Sequence, residues 1–364
     1  MTTSPRILPR LACLLILAAL AWLAFARSMA PRRPQTPAAP LPYEVHQVVF
    51  DNAGIGLEGT LTVPRTPGPH PAVVLIPGSG EVNRDGSLFG HHFYLVLADD
   101  LTRRGFAVLR SDKRGLGRSG GDFASATSFD FVSDIQAGLA LLRSRPDIDA
   151  DRIGLVGHSE GGLVGSIVAA KAPRIAFLVL MAGSGLPARD LLLSRTRRRM
   201  AQDAPDRMQQ ELALQQAVLA EASVPGSAAE RKAAVRTLYR TANSRYGRPW
   251  SEDELAPVLT PWMRTLLRID PRPLLRQVAC PVLALVGEKD EVVTADENIP
   301  ALRQALAANP RAQVQRLPGL NHFFQSARTG ALAEAADIEE TMAPRALALI
   351  GSWAVEQAKR APAR

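Results

Sequence analysis

From Tyr43 onward, short apolar runs alternate with stripes of helical period. Residues 72–76, 107–110, 153–156, 176–181, 282–286 and 314–317 are short runs, most of them continuously apolar, the pattern of central strands buried on both faces. Two further strands, over 44–50 and 56–63, open this body, the second with Leu57, Leu61 and Val63 at period-2 positions. Between the runs, Phe93, Leu97 and Leu101 recur at i, i+4 and i+8 before Arg103-Arg104-Gly105, a basic last turn with a glycine stop. Phe131, Ile135, Leu139 and Leu142 make a second stripe, and Met342, Ala346, Ile350 and Trp353 a C-terminal one. The alternation predicts an α/β fold, a mostly parallel central sheet with helices on both faces. One stretch breaks it: residues 186–268 contain no strand-like run and carry helical spacings such as Met208, Leu212 and Leu219, which predicts an inserted helical cap in a domain spanning 43–364.

The chain before that body reads differently. Residues 11–25 form an uncharged apolar run preceded by Arg6 and Arg10 and followed by Arg27. A helix of that length reaches about 22 Å against a hydrocarbon core of about 30 Å, so a signal-peptide core fits slightly better than an uncleaved anchor, with Ala24-Phe25-Ala26 as a cleavage candidate. Residues 31–42 read as a Pro/Ala-rich linker, so that 1–42 is a signal peptide or membrane anchor plus linker. Either form predicts engagement of the export machinery and a body that is periplasmic or anchored to the outer face of the cytoplasmic membrane.

At 46% hydrophobic and 21% charged the composition is globular, which excludes a disordered or fibrous chain. The net charge of +8 invites a nucleic-acid reading. Five of those charges, however, are arginines in the acid-free stretch 1–36, so the body carries only +3 and no nucleic-acid partner is expected. Of the two cysteines, Cys13 lies in the apolar run, which leaves Cys280 without a partner; no zinc spacing occurs, and neither metal nor cofactor is expected.

The most informative segment is Gly154-Leu155-Val156-Gly157-His158-Ser159-Glu160-Gly161-Gly162, an apolar strand running through G-x-S-x-G into a helical stretch. Glycines at 157 and 161 permit the close strand-to-helix approach that exposes a strained nucleophilic serine. A serine needs a base, which in this architecture follows an acid in chain order. Of the six histidines only His322 lies beyond Ser159, in the loop after the last strand. The orienting carboxylate belongs at the end of the preceding strand, where Glu288, Asp290 and Glu291 stand; we assign Asp290, with the two glutamates facing solvent or paired with Lys289. An oxyanion hole requires backbone N–H groups, one from Glu160 and a second from Ser79 in the turn Pro77-Gly78-Ser79-Gly80.

The succession P-G-S-G, Asp112-Lys113-Arg114-Gly115-Leu116-Gly117-Arg118-Ser119-Gly120, G-H-S-E-G-G, G-E-K-D and G-L-N-H resembles the α/β-hydrolase superfamily, most closely capped bacterial hydrolases related to serine aminopeptidases and prolyl-oligopeptidase-type esterases. The resemblance covers about residues 43–185 and 271 to the C-terminus. It implies Ser159 as nucleophile, Asp290 as acid, His322 as base, and Ser79 with Glu160 as oxyanion donors. Many members carry His-Gly where this chain has Pro77-Gly78.

Other features take plainer readings. Residues 115–120 match G-x-G-x-x-G, but four polar residues separate them from the strand and no helix follows, which argues against a dinucleotide site. His91-His92 reads as a helix start, Arg195 and Arg197 to Arg199 as a solvated helix face, and His158 as a packing and hydrogen-bonding residue. Apolar cap residues (Leu191 to Leu193, Met200, Met208, Leu255, Val258, Trp262, Met263) suit an acyl chain. An aminopeptidase would need acids for a substrate ammonium, for which Glu252, Asp253 and Glu254 are candidates, although they also read as a helix first turn. The expectation is therefore a serine carboxylesterase acting on a small-molecule ester. A peptidase of the same fold is the alternative, and a catalytically silent binding protein a second one.

Overall fold

The computed structural model describes residues 32–172 and 174–360; the apolar run 11–25, and with it the reading of an export signal or anchor, lies outside the described residues. No helix among the described residues is long and apolar enough to cross a membrane.

Eight strands form the main sheet: β1 (Tyr43–Asn52), β2 (Ile55–Pro64), β3 (His70–Ile76), β4 (Ala107–Ser111), β5 (Ile148–His158), β6 (Leu178–Met181), β7 (Val282–Gly287) and β8 (Ala312–Leu317). Their order is β1-β2-β4-β3-β5-β6-β7-β8. β2 runs antiparallel to both β1 and β4, and every later pairing is parallel. Continuous apolar runs are what such strands need, because alternate side chains enter two different cores. Val74 and Ile76 pack on one face with helices α2 (Ser128–Ser144), α3 (Glu160–Lys171) and α10 (Ala295–Ala305). Val73 and Leu75 pack on the other with α1 (Phe93–Arg103) and α11 (Pro344–Arg360). The run 314–317 departs from a central strand: β8 is the sheet edge, and Gln313, Gln315 and Arg316 leave it half-exposed.

Between β6 and β7 the described chain is helical: α4 (Ala188–Asp203), α5 (Met208–Ser223), α6 (Ala228–Tyr246), α7 (Leu255–Leu259) and α8 (Pro261–Leu266), followed by α9 (Pro271–Gln277). This segment has small cores of its own, Leu214, Val218, Val235, Tyr239, Ala242 and Leu255 forming one of them. The stretch read as a linker is tethered from Arg33 onward. The Arg33 guanidinium donates to the carbonyls of Phe89 and Ala336 (3.1 and 2.7 Å), and the Gln35 amide donates to the Met342 carbonyl (2.7 Å). Proline and alanine set the composition of 31–42, yet two long polar side chains fix its course.

Candidate active site

The site lies at the C-terminal ends of the parallel strands. β5 ends at His158, α3 begins at Glu160, and Ser159 between them has φ 54° and ψ −119°, a strained backbone for a side-chain-bearing residue. The flanking glycines are required by close approach: a Cβ on Gly157 would lie 2.1 Å from the Gly161 carbonyl oxygen, and one on Gly161 2.1 Å from the Ile76 oxygen. Ser159 N–H donates to the Met181 carbonyl (2.8 Å), which pins the turn to β6.

Asp290 and His322 meet. The His322 Nδ1 stands 2.8 Å from the buried Asp290 Oδ2, while Asp290 Oδ1 accepts the N–H groups of Val292 and Val293, each at 2.8 Å. With three acceptor bonds the carboxylate is held in one orientation, and the tautomer it selects leaves His322 Nε2 free of the ring proton. Asn321 secures the histidine loop, its Oδ1 accepting from the N–H groups of Phe323 and Gln325 (both 3.0 Å). Of the rival acids, Glu288 accepts from Gly319 N–H at 2.7 Å and Glu291 is exposed, while Lys289 donates to the carbonyls of Ala327 and Arg328.

Of the expected oxyanion donors, Ser79 N–H has no hydrogen-bond partner among the described residues. Glu160, as the first residue of α3, has an N–H without an intrahelical acceptor. Gly78 N–H is committed, donating to the Tyr94 hydroxyl at 2.9 Å. That hydroxyl lies 3.2 Å from His158 Nδ1, and His158 Nε2 lies 3.0 Å from the His322 carbonyl. A neutral His158 with its proton on Nε2 satisfies the whole chain, and burial beside His322 pushes its pKa down to about 3. His158 thus ties the Gly78 turn to the histidine loop.

Two contacts were missed by sequence reasoning. The buried Lys113 Nζ donates to the carbonyls of Gly78 (2.6 Å) and Gly80 (3.2 Å), so it holds the Ser79 turn from beneath. It lies 3.7 Å from Glu160 Oε2 and 4.4 Å from the centre of the Phe131 ring; burial lowers its pKa, an effect opposed by Glu160. Glu160 Oε1 in turn accepts from the Trp262 indole (2.6 Å) and the Ser128 hydroxyl (2.7 Å), which joins the residue after Ser159 to α8. The acid in G-x-S-E-G is the available signal for Lys113; for Trp262 the sequence offers only its apolar character.

Two cavities meet at this constellation. One, of about 220 Å3, is lined by Ser79, Ser159, His322, Phe93, Phe323 and Met342 among others. The second, of about 180 Å3, is lined by Ser79, Ser159 and Leu163 with Leu191, Trp262 and Met263 of the helical segment. Of the cap residues expected at a pocket, Leu255 is instead buried in one of the cap's own cores, and Met200 is buried without lining either cavity. Glu252 pairs with Arg236 (2.6 Å) and Glu254 with Arg248 (2.8 Å), away from both cavities. His91 is buried between Thr341 Oγ1 and the Ala335 carbonyl, both at 2.9 Å, and His92 precedes α1 without a side-chain capping bond.

The alpha/beta hydrolase family profile matches residues 73–335. The esterase EstD of Thermotoga maritima is 30% identical over 109 residues, 30% of this chain and 26% of that protein. The 2,6-dihydropseudooxynicotine hydrolase of Paenarthrobacter nicotinovorans is 33% identical over 155 residues, 40% of this chain and 37% of that one. The chain therefore spans between about a quarter and two fifths of the curated relatives it matches. Among solved structures, the proline iminopeptidase of Mycobacterium smegmatis superposes with a TM-score of 0.55 at 18% identity, over 87% of this chain and 100% of that one, a likeness of fold.

Proposed function

This chain belongs to the alpha/beta hydrolase family, and from that premise we propose that it is a serine hydrolase that cleaves carboxylic esters through an acyl-enzyme. Ser159 Oγ attacks the ester carbonyl while His322 Nε2 takes its proton, and Asp290 stabilises the imidazolium through Nδ1. The oxyanion that forms accepts from the N–H groups of Ser79 and Glu160. Collapse expels the alcohol, which receives the proton from His322; water, deprotonated in the same way, then releases the acid and restores Ser159. The observation that carries the reading is the 2.8 Å Asp290–His322 contact opening onto the same cavity as a serine held at positive φ.

The ester preference rests on the apolar walls of both cavities, on the engagement of Glu252 and Glu254 by arginines away from them, and on the one acid that lines them, Glu160, being held by Trp262, Ser128 and Lys113 rather than offered to a peptide's ammonium. Fluorophosphonate labelling of wild type and Ser159→Ala, with kcat/KM on p-nitrophenyl esters and on aminoacyl and prolyl anilides, tests it. Labelling and ester turnover should depend on Ser159, turnover falling by several orders of magnitude in Ser159→Ala. Undiminished turnover in that variant would sink the mechanism, an unlabelled wild type would favour a silent binding protein, and faster anilide cleavage lost on neutralising Glu252 to Glu254 would make the protein a peptidase. We also propose that the body works outside the cytoplasmic membrane, a reading supported by Arg6 and Arg10 ahead of the apolar run 11–25.

A further inference from the structure

The two cavities that meet at Ser159 are walled mainly by apolar side chains, and Arg195 on α4 breaks that pattern. It lines both of them and also a third cavity of about 330 Å3 inside the helical segment; among their described lining residues it is the one common to all three. The other charged group at these walls, the Glu160 carboxylate, is occupied by Trp262, Ser128 and Lys113. Arg195 is exposed and has no hydrogen bond or ion pair among the described residues. Its neighbour Arg198 pairs with Glu297 at 3.4 Å. In the third cavity Arg248 holds both acids, Glu211 at 2.9 Å and Glu254 at 2.8 Å, so nothing on those walls neutralises Arg195.

A guanidinium stays charged at any working pH, and its planar fork of donors fits a carboxylate with two parallel hydrogen bonds. Apolar walls raise the worth of such a pair over its value in open water. An arginine with a structural task would be found paired, and this one instead lines both cavities that meet at Ser159. We propose that Arg195 sets the specificity of this site by receiving a carboxylate of the substrate, so that the preferred substrates are monoanionic esters with an apolar body. The inference rests on the serine-hydrolase reading above and names the substrate class for it.

The test compares matched pairs of esters. The p-nitrophenyl monoester of adipic acid against p-nitrophenyl hexanoate places the carboxylate on the acyl side at equal chain length. The 4-(butanoyloxy)benzoate anion against its methyl ester places it on the alcohol side. For each pair the ratio of kcat/KM, anionic over neutral, is measured in wild type, Arg195→Gln and Arg195→Lys, at low and high salt. In at least one pair the wild-type ratio should exceed one, fall about tenfold in Arg195→Gln, fall less in Arg195→Lys, and decline with salt. Wild type preferring the neutral ester in both pairs overturns the inference whatever the variants do, as does a ratio unchanged in Arg195→Gln. Failure of the underlying reading looks different: wild type would then cleave none of the four esters and take no fluorophosphonate.

Discussion

Replacing Lys113 with Met removes one charge and one donor while keeping most of the side-chain length, and it strikes stability and catalysis together. The Glu160 carboxylate would be left buried with its cation gone. At 3.7 Å and an effective dielectric of about 20 the lost attraction is about 4 kcal/mol, in line with the roughly 3–5 kcal/mol typical of breaking a buried pair on one side only. The carbonyls of Gly78 and Gly80 also lose their donor, about 1 kcal/mol each where water does not replace it. At about 2 °C per kcal/mol for a domain of this size, Tm should drop by about 6–14 °C. The Ser79 turn is then no longer held from beneath, and since losing a whole oxyanion donor costs about 10²–10³ in rate, a loosened one should cost kcat about tenfold or more with a smaller change in KM. Glu160→Gln keeps an oxygen for Trp262 and Ser128 without the charge, so the double variant Lys113→Met/Glu160→Gln should recover part of the lost Tm. Thermal unfolding and steady-state kinetics on the four proteins of this cycle decide the matter. A Tm within about 2 °C of wild type in Lys113→Met, or strictly additive effects in the cycle, would refute the argument that the pair is energetically coupled.

Two further outcomes follow from the same geometry and from the N-terminal sequence. Because the folded pKa of His158 is held near 3 while the unfolded value is about 6.5, the unfolded chain takes up a proton that the native one refuses; the His158 contribution is constant above pH 6.5 and stability falls as pH drops toward 3, by up to about 1.4 kcal/mol per pH unit. Denaturant unfolding of His158→Asn across that window should show a slope shallower by about one proton, and an unchanged slope would mean that His158 titrates normally. A fusion of residues 1–42 to a reporter active only after export should give signal outside the cytoplasm, whereas a reporter active only in the cytoplasm would count against export.

The sheet was legible because its strands are buried on both faces, so that residues such as Val73 and Val74 must both be apolar although they enter different cores. Legibility ended at an irregular, polar lead-in: β5 begins at Ile148, paired with His70, and passes through Asp149 and Asp151 with a shift of register before the apolar run at 153. The turn at Ser159 was legible because it is a local steric problem that only glycines at 157 and 161 solve, and the meeting of Asp290 with His322 because chain order fixes where an acid and a base are expected. The supports of that site obey no such local rule. Gly78 reaches Tyr94 across 16 residues, Lys113 reaches Gly78 across 35, and Trp262 reaches Glu160 across 102.

Asp112-Lys113-Arg114 is a run of three consecutive charges, yet all three are buried. Each is compensated from a different part of the chain: Asp112 by Arg84 at 2.6 Å, Lys113 by Glu160, and Arg114 by Asp134 at 2.7 Å. The position of this run explains why. It follows directly on β4 at the C-terminal edge of a parallel sheet, where α/β folds build their ligand crevices, and charge placed there is desolvated as the crevice forms. A charged tripeptide immediately after a buried parallel strand is therefore better read as a set of buried pairs awaiting partners than as surface. In this chain the middle member, Lys113, braces the turn that would receive the oxyanion.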